Sequence, residues 1–298
     1  MAKARRILGR AQSIRKIRTV TKTMEMVSTA RYRQVHKHVS DLRPYTDRAT
    51  DMVADLIARA NRQDEPGIDD PLVTGRPELK RDAMVVITSN RGLCGGHNAA
   101  VMRLAEQRLD QLQREGYDIR LHVVGKKGIA AAREAGLKPV EENAGFGDDP
   151  DFYAVAEYAE GFIDALRDGQ IGGLEVAYTQ YLSASSRKPA IAQLLPLNTL
   201  TPPHRAFAPE HPEPFEFLPS REAILAQLLP AMVRLRLYQC FADAAVCEQL
   251  ARMASMRSAT DNADDMIRNM MLKYNRTRQG NITNELAEIV GGSEHLRG

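Results

Sequence analysis

Tryptophan is absent from this 298-residue chain, and aromatic residues of all kinds make up only 5% of it. A core without large rings is filled by Leu, Ile, Ala and the 12 Met, which leans toward helix packed on helix. Cysteine is scarce as well, and three residues argue against a disulfide framework. Cys240 and Cys247 fall seven apart on a predicted helix, roughly 10 Å by rise and too far to bridge without distortion. Cys94 stands alone, so a reducing, cytoplasmic setting is expected. No apolar run approaches the roughly 20 residues that span a bilayer. The opening MAKARRILGR has basic residues but no apolar stretch or small-residue cleavage site, so it is not read as a secretion signal. Paired cysteines or histidines at metal-ligand spacing are also missing, and no metal or cofactor is expected.

What is present is unevenly distributed. The formal net charge is only +3, yet residues 1–37 carry eleven Lys or Arg against the single acid Glu25. That stretch is therefore +10 and the remainder −7. Such a density reads either as a solvated helix face or as a surface for an acidic partner, protein or nucleic acid.

Between Gly9 and Pro44 nothing breaks a helix. Ile7, Ala11, Ile14, Ile17, Met24 and Val27 follow spacings dominated by three and four, the mark of one helix face. The pattern resumes after Pro44 and predicts one long helix over 1–60, bent near that proline. Residues 61–82 are rich in breakers and read as a linker. AMVVIT (83–88), IRLHVVG (119–125), GLEVAYTQYL (173–182) and PAIAQLLPL (189–197) read as strands, with Pro189 at the first position of the fourth. Helical stretches at 97–115, 127–135 and 150–168 separate the first three. This alternation predicts a mainly parallel α/β domain over 61–219, with the last two strands as an antiparallel hairpin at one side. Residues 196–219 hold seven prolines and read as an irregular return.

Ser220 is a candidate N-cap for a second long helix over 220–298, and Gly291 with Gly292 a candidate C-cap. From 231 to 279 there is neither Gly nor Pro, a run roughly 70 Å long if helical. Each terminal helix has a narrow apolar stripe. The economical arrangement pairs them as a long antiparallel coiled coil, with a Rossmann-like α/β domain inserted between them.

Candidate chemistry is thin. SNRGLCGGHN (89–98) follows a strand and precedes a helix, where α/β domains bind anions, but it is neither G-x-G-x-x-G nor a phosphate-binding loop. GKKG (125–128) is weaker still. Cys94 and His97 share that turn without an acid to orient a base. The acids of VEENAGFGDDPD (140–151) have no spacing that demands a metal. The tract KYNRTRQGNITNELAEIVGG (273–292) instead crowds Arg278, Gln279, Asn281, Thr283 and Asn284 into one helix, a face made for water or for another protein.

TKTMEMVSTARYR (21–33), ITSNRGLCGGHN (87–98) and the C-terminal block over 251–292 closely resemble the gamma subunit of F-type ATP synthases. This resemblance implies a rotor shaft without catalytic residues. Its paired helices would enter a ring of three alpha and three beta subunits, and its α/β part would sit with the epsilon subunit on the membrane-embedded c-ring. Association with the cytoplasmic face of a bacterial inner membrane would come only through that complex, and no nucleic acid is implied. The resemblance carries contact roles to Arg278, Gln279 and Thr283, with Glu285 close by, and to Met24 and Arg252 near a beta loop. The turn from Arg91 to Cys94 would come close to beta as well. Asn90 stands where the family has Asp, His97 where Leu is common, and Gly280 where a better helix former is usual. The alternative is a basic coiled coil that binds nucleic acid, which would show steeply salt-dependent binding.

Overall fold

The computed structural model of the protein describes residues 2–60, 68–76, 78–199 and 220–295. Helix α1 spans Ala2–Ala60 and runs through Pro44, although proline offers no N–H to the carbonyl four residues back. At the other end of the chain, helix α6 spans Arg221–His295 and contains Pro230 near its start. Ser220 caps it as expected, its hydroxyl accepting from the Ala223 amide at 3.2 Å. Gly291 and Gly292 do not end it, contrary to expectation, because the helix continues to His295. Glycine permits the left-handed turn of a C-cap without requiring it.

Between the long helices come α2 (Pro71–Thr74), β1 (Arg81–Ile87), α3 (His97–Arg114), β2 (Asp118–Val124), α4 (Lys126–Glu134), β3 (Glu141–Asn143), α5 (Phe152–Arg167), β4 (Leu174–Tyr181) and β5 (Arg187–Leu195). The strands form one sheet in the order β3-β2-β1-β4-β5. Its first three junctions are parallel and β4–β5 is antiparallel. All four expected strands and the hairpin are present. Pro189 is the third residue of β5, and an edge strand tolerates its missing donor. Strand β3, a three-residue polar edge piece that pairs with His122, Val123 and Val124, was not expected.

The central position of β1 explains its composition. Ala83 through Ile87 are buried without alternation, as a strand covered on both faces must be. One cover is α3, whose Val101, Met102, Ala105, Leu109 and Leu112 pack with Met84, Val86, Leu121 and Val123. From Leu229 to Leu250 helix α6 buries nearly every residue, so this part is a core helix. Two of its polar residues there are engaged within the unit. Arg236 donates to the carbonyls of Gln193 at 3.0 Å and Leu194 at 3.4 Å. Asp243 is buried and faces the Tyr181 amide and Arg43. Burial pushes its carboxyl up to about 7 against those two stabilising influences. Burial likewise pushes the neighbouring thiols Cys240 and Cys247 up to about 12.

By its internal contacts the chain divides into two compact units, Met1–Ala30 with Arg252–Gly298, and Arg31–Ala251. Both boundaries fall inside the long helices.

Candidate functional site

The smaller unit is a helix pair. Arg15 Nη2 lies 3.8 Å from Met271 Sδ, Arg18 Nε donates to Asp264 Oδ1 at 2.6 Å, and the Thr21 and Thr260 hydroxyls share a buried hydrogen bond of 2.8 Å. Partner numbers fall as α1 numbers rise, so the helices are antiparallel. On α6 a row at Met256, Thr260, Ala263, Ile267, Met270, Tyr274, Thr277 and Asn281 is buried or half-buried throughout. Its steps alternate between four and three, the heptad seam of a coiled coil.

The matching row on α1 runs Ala4, Ile7, Ala11, Ile14, Arg18, Thr21, Glu25 and Ser28. Its buried members, Ala4, Ala11, Thr21 and Ser28, are all small. Short side chains at the contact let helix axes approach closely. The expected apolar stripe is therefore split. Ile7, Ala11, Ile14 and Met24 are buried or half-buried. Ile17 lies outside the seam with Val20, each 57% exposed, and Met26 and Val27 are exposed as well.

The same pairing locates the amide-rich tract. With Thr21 opposite Thr260, the start of α1 at Ala2 falls beside about residue 279 of α6. Helix α6 therefore outruns its partner, and residues 282–287 are exposed without exception. Arg278, Gln279, Thr283 and Glu285 are all exposed here. Their spacings of four and seven place them on adjacent rows of one helix. Ile282 and Leu286, also exposed, lie among them. Thr283 donates to the Gln279 carbonyl at 3.0 Å and keeps its acceptor side open. Arg252, by contrast, is only 5% exposed.

The turn over 89–98 belongs to the larger unit, and its polar atoms are engaged within the chain. Ser89 N donates to Asn98 Oδ1 at 2.9 Å, and Asn98 Nδ2 reaches Ser89 Oγ at 2.7 Å and Cys94 Sγ at 3.3 Å. Cys94 is 2% exposed, so the outward side chains of the turn are Arg91 and Leu93. Leu93 adopts φ +64°, a left-handed conformation unusual for a branched residue. His97 is buried against Thr179, its Nδ1 3.3 Å from the hydroxyl. At Gly125 a Cβ would overlap the Thr88 carbonyl, so the second glycine turn serves close packing of backbone on backbone.

Parallel α/β sheets bind ligands beyond the carboxyl ends of their strands. Here that crevice is lined by the chain itself. Phe146, Gly147 and Asp148 from the loop after β3 and Phe241, Ala244 and Ala245 from α6 face Ile87, Thr88 and Val124. The Phe146 and Phe241 rings meet at 4.6 Å.

Asn90 shows why an amide suits its place. Its Nδ2 donates to the Phe146 carbonyl at 2.6 Å while its Oδ1 accepts from the Lys126 amide at 3.0 Å. A carboxylate could not make the first bond. The loop it holds contributes residues that the sequence did not single out. Asp148 pairs with Arg31 and, at 3.6 Å, with Arg91. Asp149 accepts from Gln34 Nε2 at 3.0 Å and lies 3.6 Å from His38 Nδ1. The run of acids at 148–151 opposite a basic helix was the available signal.

Among the described residues no group of His, Cys, Asp or Glu is placed to hold a metal ion. No described helix is long and apolar enough to cross a membrane.

A family model described as ATP synthase matches residues 3–296. Similar curated proteins include the ATP synthase gamma chain of Rhodopirellula baltica, 37% identical over the whole of both chains. The gamma chain of Frankia casuarinae is 35% identical, covering 96% of this chain and 95% of its own. Among solved structures, a chain of the Euglena gracilis mitochondrial ATP synthase rotor superposes with a TM-score of 0.61 at 18% identity, covering 94% of this chain and 99% of that one. A chain from the Tetrahymena thermophila central stalk and c-ring gives 0.57 at 19% identity, over 80% of this chain and 99% of that one.

Proposed function

The chain belongs to the ATP synthase gamma-chain family, and from that premise we propose that it is the central shaft of the complex, a subunit that transmits torque and makes or breaks no bond itself. It turns inside a ring of alpha and beta subunits, and it is held at the inner face of the bacterial membrane through epsilon and the c-ring. Ion flow through the c-ring drives it in synthesis, and hydrolysis at the ring drives it in reverse.

The observation that carries this reading is the seam of the helix pair. Its α1 side buries Ala4, Ala11, Thr21 and Ser28 and leaves Ile17, Val20, Met26 and Val27 outside. The α6 side ends in an exposed face of amides and charges. The pair thus has unlike sides and no threefold symmetry. Three equivalent neighbours in contact with it are each offered a different surface, and differential contact is what shifts conformational populations. Polar contacts suit a shaft that must let go of each neighbour in turn, because rim-type contacts cost little to break.

Arg278, Gln279, Thr283 and Glu285 are the direct contacts in this reading, with Met24 on the shaft and Arg91 at the turn. Cys94 and Arg252, being buried, act by holding those surfaces in place. The test is reconstitution with alpha and beta subunits, in which the chain should raise multisite ATP hydrolysis. Arg278→Ala with Gln279→Ala should lower that stimulation about tenfold, the effect of losing one or two hydrogen bonds to charged groups, while the circular dichroism spectrum is unchanged. Full stimulation by the double variant would remove these residues from the contact.

A further inference from the structure

Within the larger unit α6 is a core helix, whereas α1 is held by polar contacts on two sides. From Arg31 to Val39 three rows of α1 are engaged at once. Val35 and Val39 are buried in the middle row. On one side of them Arg31, Gln34 and His38, at steps of three and four, form a row that meets the loop after β3. Arg31 pairs with Asp148, Gln34 Nε2 donates to Asp149 Oδ2 at 3.0 Å, and His38 Nδ1 lies 3.6 Å from Asp149 Oδ1. On the other side Tyr32 and His36, four apart, meet the end of β4. The Tyr181 hydroxyl lies 3.0 Å from His36 Nε2 and 3.5 Å from the Tyr32 hydroxyl. At 3.6 residues per turn the two polar rows stand roughly 150° apart around the helix.

The loop is pinned from behind. Asn90 Nδ2 donates to the carbonyls of Phe146 at 2.6 Å and Ala144 at 3.4 Å. Gly145 N donates to Asn143 Oδ1 at 2.9 Å. The Phe146 ring packs on Phe241 of α6 and on Tyr158 of α5. Asp148 lies between two guanidinium groups, those of Arg31 and Arg91. Apolar burial is non-directional, so a row of valines resists separation of a helix from its neighbour and resists rolling much less. Hydrogen bonds and ion pairs depend on angle, and a set on each flank opposes rolling in either sense.

We infer that the loop over 144–149 and Tyr181 form a two-sided bracket that locks α1 against rolling about its own axis, and that Asp148 and Asp149 are positioning residues for the passage of torque between the α/β domain and α1. This inference rests on the shaft reading and adds to it the place where one of the two long helices is made fast. In that reading α6 is driven through its apolar packing in the core, and α1 through these directional contacts. Without them α1 yields under load, and part of each turn is lost as slip.

The test has two parts. In the isolated full-length chain, Asp148→Ala with Asp149→Ala should speed amide hydrogen exchange over residues 31–39 about tenfold, the effect of losing one charged hydrogen bond, and leave exchange in β1 unchanged. Asp149→Lys should also speed it, and Gln34→Glu added to that variant should restore protection, because an ion pair then replaces the lost hydrogen bond. In the complex assembled in membrane vesicles, ATP hydrolysis and ATP-driven ion uptake are measured together. The double alanine variant should take up fewer ions per ATP while hydrolysis is retained, and Gln34→Glu should recover the same loss in Asp149→Lys. A chain that is merely misfolded lowers both activities in parallel and is not rescued. Unchanged exchange over 31–39, an unchanged ratio of ions to ATP, or a loss that Gln34→Glu does not recover would overturn the inference. Failure of the unsubstituted chain to stimulate hydrolysis by alpha and beta subunits counts against the shaft reading, whereas normal coupling by the double alanine variant counts against the bracket alone.

Discussion

At the scale of single residues, two side chains show how context sets chemistry. Asn90 uses both ends of its amide, one as donor and one as acceptor, to join the loop after β3 to the start of α4. The sequence marked it only as a departure from a family pattern. Its role could not be read there, because both partners are backbone groups more than thirty residues away. Asp243 is the second case. Its carboxyl is pushed from 3.8 up to about 7, first by burial, with the Tyr181 amide and Arg43 opposing. The folded chain therefore keeps a proton that the unfolded chain releases above its ordinary carboxylate pKa. Fewer protons are bound in the unfolded state across that interval, so stability falls as pH rises from about 4 to about 7 and levels off beyond. Asp243→Asn should flatten this part of the curve and raise stability at neutral pH by a few kcal/mol. Urea denaturation at a series of pH values checks both, and an unchanged slope would show that Asp243 is not the group responsible.

At the scale of elements, the helices and strands of the α/β part were legible because their apolar runs have the right lengths and breakers between them. The seam of the helix pair was not. A search for large apolar residues at spacings of three and four selects Ile17 and Val27, which are exposed, and passes over Thr21 and Ser28, which are buried. Alanine, serine and threonine carry little hydropathy signal, yet they determine how closely two helices can approach. This predicts an inverted pattern of tolerance. Ala11→Leu should destabilise by about 1–3 kcal/mol through overpacking. Ile17→Gln should change stability by no more than about 0.5 kcal/mol, as at most surface sites. Thermal unfolding of the two variants decides between this seam and the hydropathic one. The strand β3 and helix α2 escaped notice for a different reason, being three and four residues long. At that length β3 is made by pairing with β2, and α2 by its caps, with Asp70 accepting the Leu72 amide at 2.8 Å ahead of Pro71.

At the scale of the whole molecule, charge is sorted along the chain, with +10 in the first 37 residues and −7 in the rest. Net charge hides this, and composition alone left a nucleic-acid partner open. In the shaft reading proposed above, the basic stretch meets an acidic protein surface of the ring instead. Electrostatic steering of that kind acts on the rate of encounter and is screened by salt. Raising ionic strength from about 0.05 M to about 0.5 M should slow association with the alpha–beta ring by roughly tenfold or more, with a smaller effect on dissociation. Stopped-flow mixing separates the two rates, and equal slowing of both would argue against steering.

The far end of α6 has a consequence of its own. Past the start of α1 it has no companion helix among the described residues, with 282–287 exposed, and Gly280 lies near the point where the companionship ends. Short helices left to themselves in water are marginal. The stiffness of that last stretch must therefore be borrowed from whatever socket receives it, so that it is firm when seated and slack when withdrawn.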